Sequence, residues 1–207
     1  MTGNIIGALD ALTGHRLTFT TPYLGIGGNY LSDVTARYAQ ATAQGGGVII
    51  DVSGTNSIVA QGLSAEQAIV DAIANYNLAR ASGAILITSA ILPRFGTDGA
   101  DNANYSAALT KSISRYNNLL YAAAKSRNGW YIVDADHAAD PANNGRARVG
   151  YTSDGLHAAA SMAFVLCQKI AAVINTIYPP SKAFPTLISA GQLYDATANP
   201  GGNLINS

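Results

Sequence analysis

Asp154 and His157 lie three residues apart in the stretch YTSDGLH (residues 151–157), with Gly155 between them. A carboxylate that accepts a hydrogen bond from Nδ1–H of an imidazole fixes the tautomer of the ring and stabilises its protonated form. A general base needs both properties. Gly155 permits the tight turn that this spacing requires. The stretch therefore predicts the base half of a nucleophilic hydrolase, with His157 as general base and Asp154 as the residue that orients it.

Two other histidines compete with His157. His137 follows Asp134 and Asp136 and offers an alternative pair, whereas we find no comparable neighbour arrangement around His15. A histidine near the start of a helix can also be purely structural. The three histidines lack a ligand spacing such as H-E-x-x-H, so we expect no metal site, and nothing in the sequence calls for a cofactor.

Two loops are candidates for an oxyanion hole. Asn56, in Gly54-Thr55-Asn56, follows an apolar run and can point its side-chain N–H at a developing oxyanion. Gly28, in the loop GIGGN (25–29), can offer its backbone N–H as a second donor. The alternative interpretation is that both loops only make turns. A dinucleotide fingerprint is excluded, because Tyr30 stands where its third glycine belongs.

The order of these motifs resembles the SGNH (GDSL-type) esterase and lipase family. A glycine loop, then G-T-N, then D-G-L-H before a last helix follow one another in the order of that family, and the similarity covers roughly residues 1–177. The resemblance implies Gly28 and Asn56 as the oxyanion hole. It also implies Asp154 and His157 as acid and base.

The chain departs from the family in two places. The family's first block, G-D-S, follows the first strand and carries the nucleophilic serine, but no serine precedes Gly28. Ser57 stands where the third block usually has an aspartate. The nucleophile is therefore unknown, and the alternatives are Ser53, Ser57, Ser153 or a water activated by His157. We expect the missing central strand to be compensated by another segment or by a second chain, since its loss leaves backbone groups unpaired.

Apolar and polar segments alternate along the chain in a way typical of helices and strands. Buried strands are predicted from apolar runs at 48–52, 84–88 and 130–133, and a further strand from the alternation at 17–21. Helices are predicted over 5–12, from Ser32-Asp33 to about 44, from a capping box at Ser64 to about 81, over 104–125 and over 158–177. This order predicts an α/β protein, a three-layer α/β/α sandwich with a parallel, flavodoxin-like sheet that lacks its first strand.

Composition restricts the partners. Charged residues make up only 12% of the 207 residues, with 12 basic and 12 acidic side chains and no basic patch, so nucleic acid is not expected as a partner. The single cysteine, Cys167, is expected to be a buried apolar residue. The apolar stretches are interrupted by polar residues, so we expect no membrane span. The N-terminus shows no signal-peptide pattern, and the polar uncharged surface is common in secreted and phage-borne proteins.

These observations predict a domain over residues 1–179, followed by a tail or linker over 180–207. Its expected function is hydrolysis of short acyl esters, including O-acetyl groups on carbohydrate. The alternative is a truncated, non-catalytic structural or binding domain of the same fold. A homo-oligomer that replaces the missing strand is a further expectation.

Overall fold

A computed structural model of the chain describes residues 5–19, 24–43, 47–94, 106–140, 142 and 144–179, without the side chains of Asp136 and His137. The strands are β1 (Val48–Asp51), β2 (Ile85–Ser89) and β3 (Trp130–Val133). The helices are α1 (Ile5–Leu12), α2 (Leu31–Ala43), α3 (Thr55–Val59), α4 (Ala65–Ala81), α5 (Ala107–Lys125), α6 (Asp136–Ala139) and α7 (Ala160–Ile177). The first compact unit ends at Ile174, and the predicted domain boundary after residue 179 stays a prediction.

The three strands form a parallel sheet in the order β1-β2-β3. Val48 pairs with Ile85 across the first pair of strands, and Leu86 pairs with Trp130 across the second. Parallel strands need long crossover connections, which helices provide here. Their near-continuous apolar sequences are explained by burial on both faces of the sheet.

Successive side chains of the strands point to opposite faces of the sheet, and each face has its own core. On β2, Leu86 packs into a cluster with helices α2, α4 and α5, while the next residue, Ile87, packs against α1 and α7. The first cluster includes Leu31, Tyr38, Tyr76, Tyr116 and Leu120. The second includes Leu9, Leu166, Ile170 and Ile174. The predicted three-layer α/β/α architecture is confirmed.

The strand predicted over residues 17–21 is wrong for 17–19, and residues 20 and 21 lie outside the described part of the chain. Leu17 packs instead against the core beneath α1 and α7. Within the described residues, β1 therefore stands at an edge of the sheet, with β2 as its only strand partner. Compensation of the missing strand by another segment or a second chain stays a prediction.

Helix starts show how tertiary contacts override local signals. Ser64 accepts from the backbone of Gln67, and the Gln67 side chain reaches back to Ser64, so the predicted capping box is confirmed. The predicted cap at Ser32-Asp33 is confirmed for Asp33, whose Oδ2 accepts from the Tyr30 N–H at 2.9 Å, but α2 already begins at Leu31. The Leu31 N–H donates to Ser57 Oγ at 2.8 Å, a partner 26 residues away, and this distant bond allows the earlier start.

By length and composition alone, α7 is long and apolar enough to cross a membrane. Six of its residues are buried within the protein: Met162, Leu166, Cys167, Ile170, Ala171 and Ile174. Buried core helices pass the same composition test, so this one helix is weak evidence for a span. The burial of Cys167 agrees with its expected apolar role.

Candidate active site

Asp154 organises the turn that ends in His157. Its Oδ1 accepts from the backbone N–H groups of Leu156 at 3.0 Å and of His157 at 2.7 Å. Its Oδ2 lies 2.6 Å from Nδ1 of the His157 ring. Gly155 makes this closure possible with φ of +82°, a conformation that is costly for a residue with a side chain. One carboxylate thus holds both the backbone and the ring of the proposed base.

The charge on Asp154 is stabilised by these bonds. The backbone N–H of His157, the His157 ring and the Leu156 N–H, in that order, hold the pKa of Asp154 well below its usual range. An ionised Asp154 accepts from Nδ1–H and leaves Nε2 as the free, basic nitrogen of the neutral ring. The His157 side chain is 61% exposed, so that nitrogen is accessible to a reacting group.

The segments around the turn anchor it to α7. Thr152 and Ala158 form an isolated antiparallel bridge across it, and Ser153 N donates to His157 O at 2.9 Å. Ser161, in the first turn of α7, donates from Oγ to Gly150 O at 2.7 Å. The turn is therefore a closed loop whose ends are hydrogen-bonded to the start of α7.

A second histidine–aspartate pair occurs at the end of α1, which corrects the expectation that His15 has no such neighbour. His15 Nδ1 lies 2.7 Å from Asp10 Oδ2. The backbone of His15 adopts φ of +56°, which turns the ring back toward a carboxylate five residues earlier. Its side chain is 77% exposed. For the competing His137, the side chain lies outside the described part, so that alternative stays untested.

The two predicted oxyanion loops contact each other. Asn56 lies in the first turn of α3, and its Nδ2 donates to Asn29 O at 3.2 Å. Gly28, next to Asn29, has φ of +84° and is exposed. A side-chain amide carries two N–H groups, so Asn56 can hold Asn29 and still present one N–H to a substrate.

Gly54 explains why the sequence Gly54-Thr55-Asn56 makes this corner. Its φ is +109°, where most residues with a Cβ are strained. A Cβ on Gly54 would also lie 3.2 Å from the hydroxyl of Tyr116. Glycine is therefore needed for the chain to leave β1 and enter α3 closely packed against α5.

The candidate hydroxyl nucleophiles differ in environment. Ser57 is fully buried, and its oxygen accepts from Leu31 N–H, so it supports the start of α2. Ser153 Oγ donates to His157 O at 3.3 Å. The hydroxyl of Ser53 is buried and has no hydrogen-bond partner in the described part of the chain. Within the described residues no hydrogen bond links any of these three hydroxyls to the His157 ring, and none links His157 to Asn56 or Gly28.

A buried polar group at the end of β1 was not foreseen from the sequence. Asp51 is 8% exposed, and its Oδ2 accepts from the Tyr38 hydroxyl at 2.8 Å. Ser53 lies beside the same carboxylate without the geometry of a hydrogen bond. Burial raises the pKa of Asp51 above its usual range, which these polar neighbours offset only in part. The only signal in the sequence is an acid that ends an apolar strand.

We expect Asp51→Asn to make the protein more stable than wild type, by an amount that grows with pH. A carboxyl group whose pKa is raised by folding lowers the free energy of unfolding as pH rises from its unfolded pKa through its folded pKa. Asparagine has no such titration and keeps an oxygen for Tyr38. Urea unfolding of both proteins between pH 4 and pH 8 measures the difference.

Tyr38→Phe should change the pH dependence of stability in the opposite direction to Asp51→Asn. It removes the hydroxyl donor to Asp51, so its stability should fall more steeply with pH than that of wild type. A stability difference between Asp51→Asn and wild type that stays constant over the pH range would contradict the assigned burial of this charge.

No group of three or more histidine, cysteine, aspartate or glutamate side chains that could hold a metal ion occurs among the described residues. The expectations of no metal and no cofactor remain predictions.

No known family model matches the chain, and no curated protein matches its sequence. Solved structures do match it. A GDSL-like lipase from Bacteroides thetaiotaomicron is 19% identical, with a TM-score of 0.61 over 74% of each chain. A carbohydrate esterase family 3 protein from Talaromyces cellulolyticus is 15% identical, with a TM-score of 0.55 over 72% of this chain and 68% of that one. A mutant acetyl esterase with an acetate ion is 13% identical, with a TM-score of 0.61 over 82% and 88%. At these identities the likeness shows a shared fold, and the resemblance to GDSL-type hydrolases is confirmed at that level.

Proposed function

We propose that this chain is a hydrolase of short acyl esters that uses an SGNH-type apparatus. His157 acts as general base and acid, Asp154 orients it, and the N–H groups of Gly28 and Asn56 stabilise the oxyanion. The observation that carries the proposal is the turn in which Asp154 binds both the backbone and the Nδ1 of His157. The fold shared with a lipase and two esterases supports the reaction class.

In the proposed reaction His157 first takes a proton from the attacking group and then gives it to the leaving group. Nε2 of His157 takes the proton of an attacking hydroxyl or water as its oxygen bonds to the ester carbonyl carbon. The carbonyl oxygen becomes an anion and accepts hydrogen bonds from Gly28 and Asn56. When the carbon–oxygen bond to the alcohol breaks, the imidazolium returns the proton to the leaving oxygen. If the attacking group is water, this step releases the acid. If it is a hydroxyl of the protein, an acyl-enzyme is left, and a water whose proton His157 takes then attacks it, releasing the acid as His157 returns the proton to the hydroxyl. Asp154 stays ionised and stabilises the imidazolium.

The proposed substrate class is a short acyl ester, including O-acetyl groups on carbohydrate. Two of the similar structures are a carbohydrate esterase and an acetyl esterase, and this chain carries few charged residues. These two facts support the class without selecting one ester.

A second candidate function is a non-catalytic binding or structural domain with this fold. It is favoured by the burial of Ser57, whose oxygen accepts from the Leu31 N–H and so supports the start of α2. This second function predicts that the Asp154–His157 turn is intact but that the protein hydrolyses no ester.

Labelling of the intact protein with a serine-directed phosphonate, combined with hydrolysis of a chromogenic acetate ester, tests the proposal. Hydrolysis with a mass increase on one peptide supports a covalent route and identifies the nucleophile. Hydrolysis without labelling supports a water activated by His157. Neither hydrolysis nor labelling, in protein shown to be folded by its melting transition, would overturn the enzymatic assignment in favour of the binding domain.

A further inference from the structure

Arg94 lies just beyond β2 and is only 3% exposed. Its backbone pairs with a neighbouring loop: Arg94 N donates to Gly145 O at 3.3 Å, and Arg94 O accepts from Ala147 N at 2.9 Å. Its Nη1 and Nη2, in contrast, are buried and have no hydrogen-bond partner among the described residues. The backbone thus holds Arg94 at a fixed position while the end of its side chain stays unsatisfied.

The charge of Arg94 has no counter-ion among the described residues. Burial lowers the pKa of Arg94 to about 10, which still leaves the group charged at neutral pH. The buried acid of the same loop is Asp140, whose two oxygens accept from the backbone N–H groups of Asn144 at 3.2 Å and Gly145 at 2.6 Å. Asp140 therefore shapes the loop and forms no ion pair with Arg94. A buried charge without a partner is costly, so native proteins normally pair such groups.

The segment that carries Arg94 packs against the same apolar cluster as the residues flanking the His157 turn. Leu92, two residues earlier, packs in a small apolar cluster with Tyr151 and Ala158. Ala158 directly follows His157 and closes the turn by pairing with Thr152. Arg94 follows the carboxyl end of β2, and in parallel sheets ligands bind at that end of the strands.

We propose that Arg94 binds a carboxylate group of the ester substrate, an inference that rests on the proposed function. Nη1 and Nη2 form the end of the guanidinium that matches the two oxygens of a planar carboxylate in a bidentate pair. Both nitrogens are covered in the ligand-free chain, so binding displaces the atoms over them. The unpaired charge favours that displacement. The substrate class is thereby narrowed to acyl esters that carry a carboxylate.

Binding is tested first, without reference to turnover. At constant ionic strength, acetate should raise the melting temperature of wild type relative to chloride, because a ligand of the folded state stabilises it. Arg94→Gln should lose this shift in melting temperature. Arg94→Lys should keep part of it, since lysine keeps the positive charge but lacks the two parallel N–H donors of a guanidinium. Arg115→Gln is the matched control, because Arg115 pairs with Glu66 at the surface. Stabilisation by phosphate or sulfate but not by acetate would overturn the choice of a carboxylate.

The substrate preference is tested with two esters that differ by one charge: the mono-4-nitrophenyl ester of succinate and the same compound with its carboxyl group methylated. Wild type should favour the acid over the methyl ester in kcat/KM by about 10-fold or more, since a bidentate pair to a charged group is strong. Arg94→Gln should reduce this ratio toward one. An unchanged ratio would overturn the inference. Absence of turnover for both esters and for the chromogenic acetate ester, with the acetate shift intact, would overturn the proposed function while the anion site remains supported.

The stability of the protein without added ligand tests whether the chain itself supplies a counter-ion for Arg94. Removal of an unpaired buried charge should leave Arg94→Gln at least as stable as wild type. Asp98 and Asp101 lie outside the described residues and are the nearest acids along the chain. If Arg94→Gln is less stable than wild type, and Asp98→Asn or Asp101→Asn reproduces the loss, Arg94 belongs to an internal ion pair and the inference is wrong.

Discussion

His157→Ala is expected to lower kcat/KM for a chromogenic acetate ester by about 10²- to 10⁴-fold, the usual contribution of a general base. Without the ring, no group at the turn can take the proton of the attacking hydroxyl or return it to the leaving oxygen. Asp154 keeps its bonds to the backbone N–H groups of residues 156 and 157, which do not depend on the ring. The turn should therefore remain folded, and the loss should appear in turnover and not in the melting temperature.

His15→Ala is the matched control that this chain offers. His15 and Asp10 form a pair with the same atoms, Nδ1 and Oδ2, at 2.7 Å, against 2.6 Å for His157 and Asp154. Both imidazole side chains are exposed, so neither substitution opens a cavity. Activity should survive loss of His15. If both variants are as active as wild type, the assignment of His157 is wrong. If both variants lose activity to the same extent, the loss reflects a general effect on folding.

Asn56→Ala is expected to reduce kcat by about 10²- to 10³-fold, as loss of one oxyanion donor does in other hydrolases. The donor acts mainly on the charge that develops in the transition state, so KM should change little. The variant also loses the hydrogen bond from Asn56 to Asn29, which should cost about 1 kcal/mol of stability. Kinetics at a temperature well below the melting transition separate the two effects.

Two further variants make this result specific. Asn56→Asp keeps the shape of the side chain but replaces both N–H donors with carboxylate oxygen, so its loss of kcat should be at least as large. Asn128→Ala is the control, because it removes an exposed asparagine side chain in the turn before β3. The backbone oxygen of Asn128, which accepts from the Tyr76 hydroxyl, is kept in this variant, so its activity should match that of wild type. Full activity of Asn56→Asp would rule out the amide as an oxyanion donor.

Local patterns predicted the layers of the fold well. The apolar runs at residues 48–52, 84–88 and 130–133 match three strands within a residue or two, because doubly covered parallel strands need apolar side chains on both faces. The alternation at residues 17–19 failed as a predictor. A strand requires a neighbour for its backbone, and Leu17 packs into the core without one.

The proposed site, like the fold, has parts that could be predicted from the sequence and parts that could not. The Asp154–His157 turn was readable from four residues, because each of its hydrogen bonds closes within three positions along the chain. The pair between Asp10 and His15 was missed, although it is also local, because it depends on a positive φ at His15 after a helix ends. A short polar motif is thus predictable where one side chain accepts hydrogen bonds from residues of the same turn. It is less predictable where a residue must first adopt a positive φ to bring the two side chains together.

By itself the sequence determined which residues are able to act as base, orienting acid and oxyanion donors, since those roles depend on residue type and on spacing within a turn. Only the tertiary structure decided how they are supported. It joined Asn56 to Asn29 across 27 residues and placed Ser57 as the hydrogen-bond acceptor at the start of α2. It also buried Asp51 at the end of β1 and Arg94 in the segment after β2. These features depend on contacts between segments far apart in the chain, whose geometry is set by packing on the two faces of the sheet. For that reason the residue that we propose as the base could be identified from the sequence, whereas the buried charge that we propose for substrate binding could not.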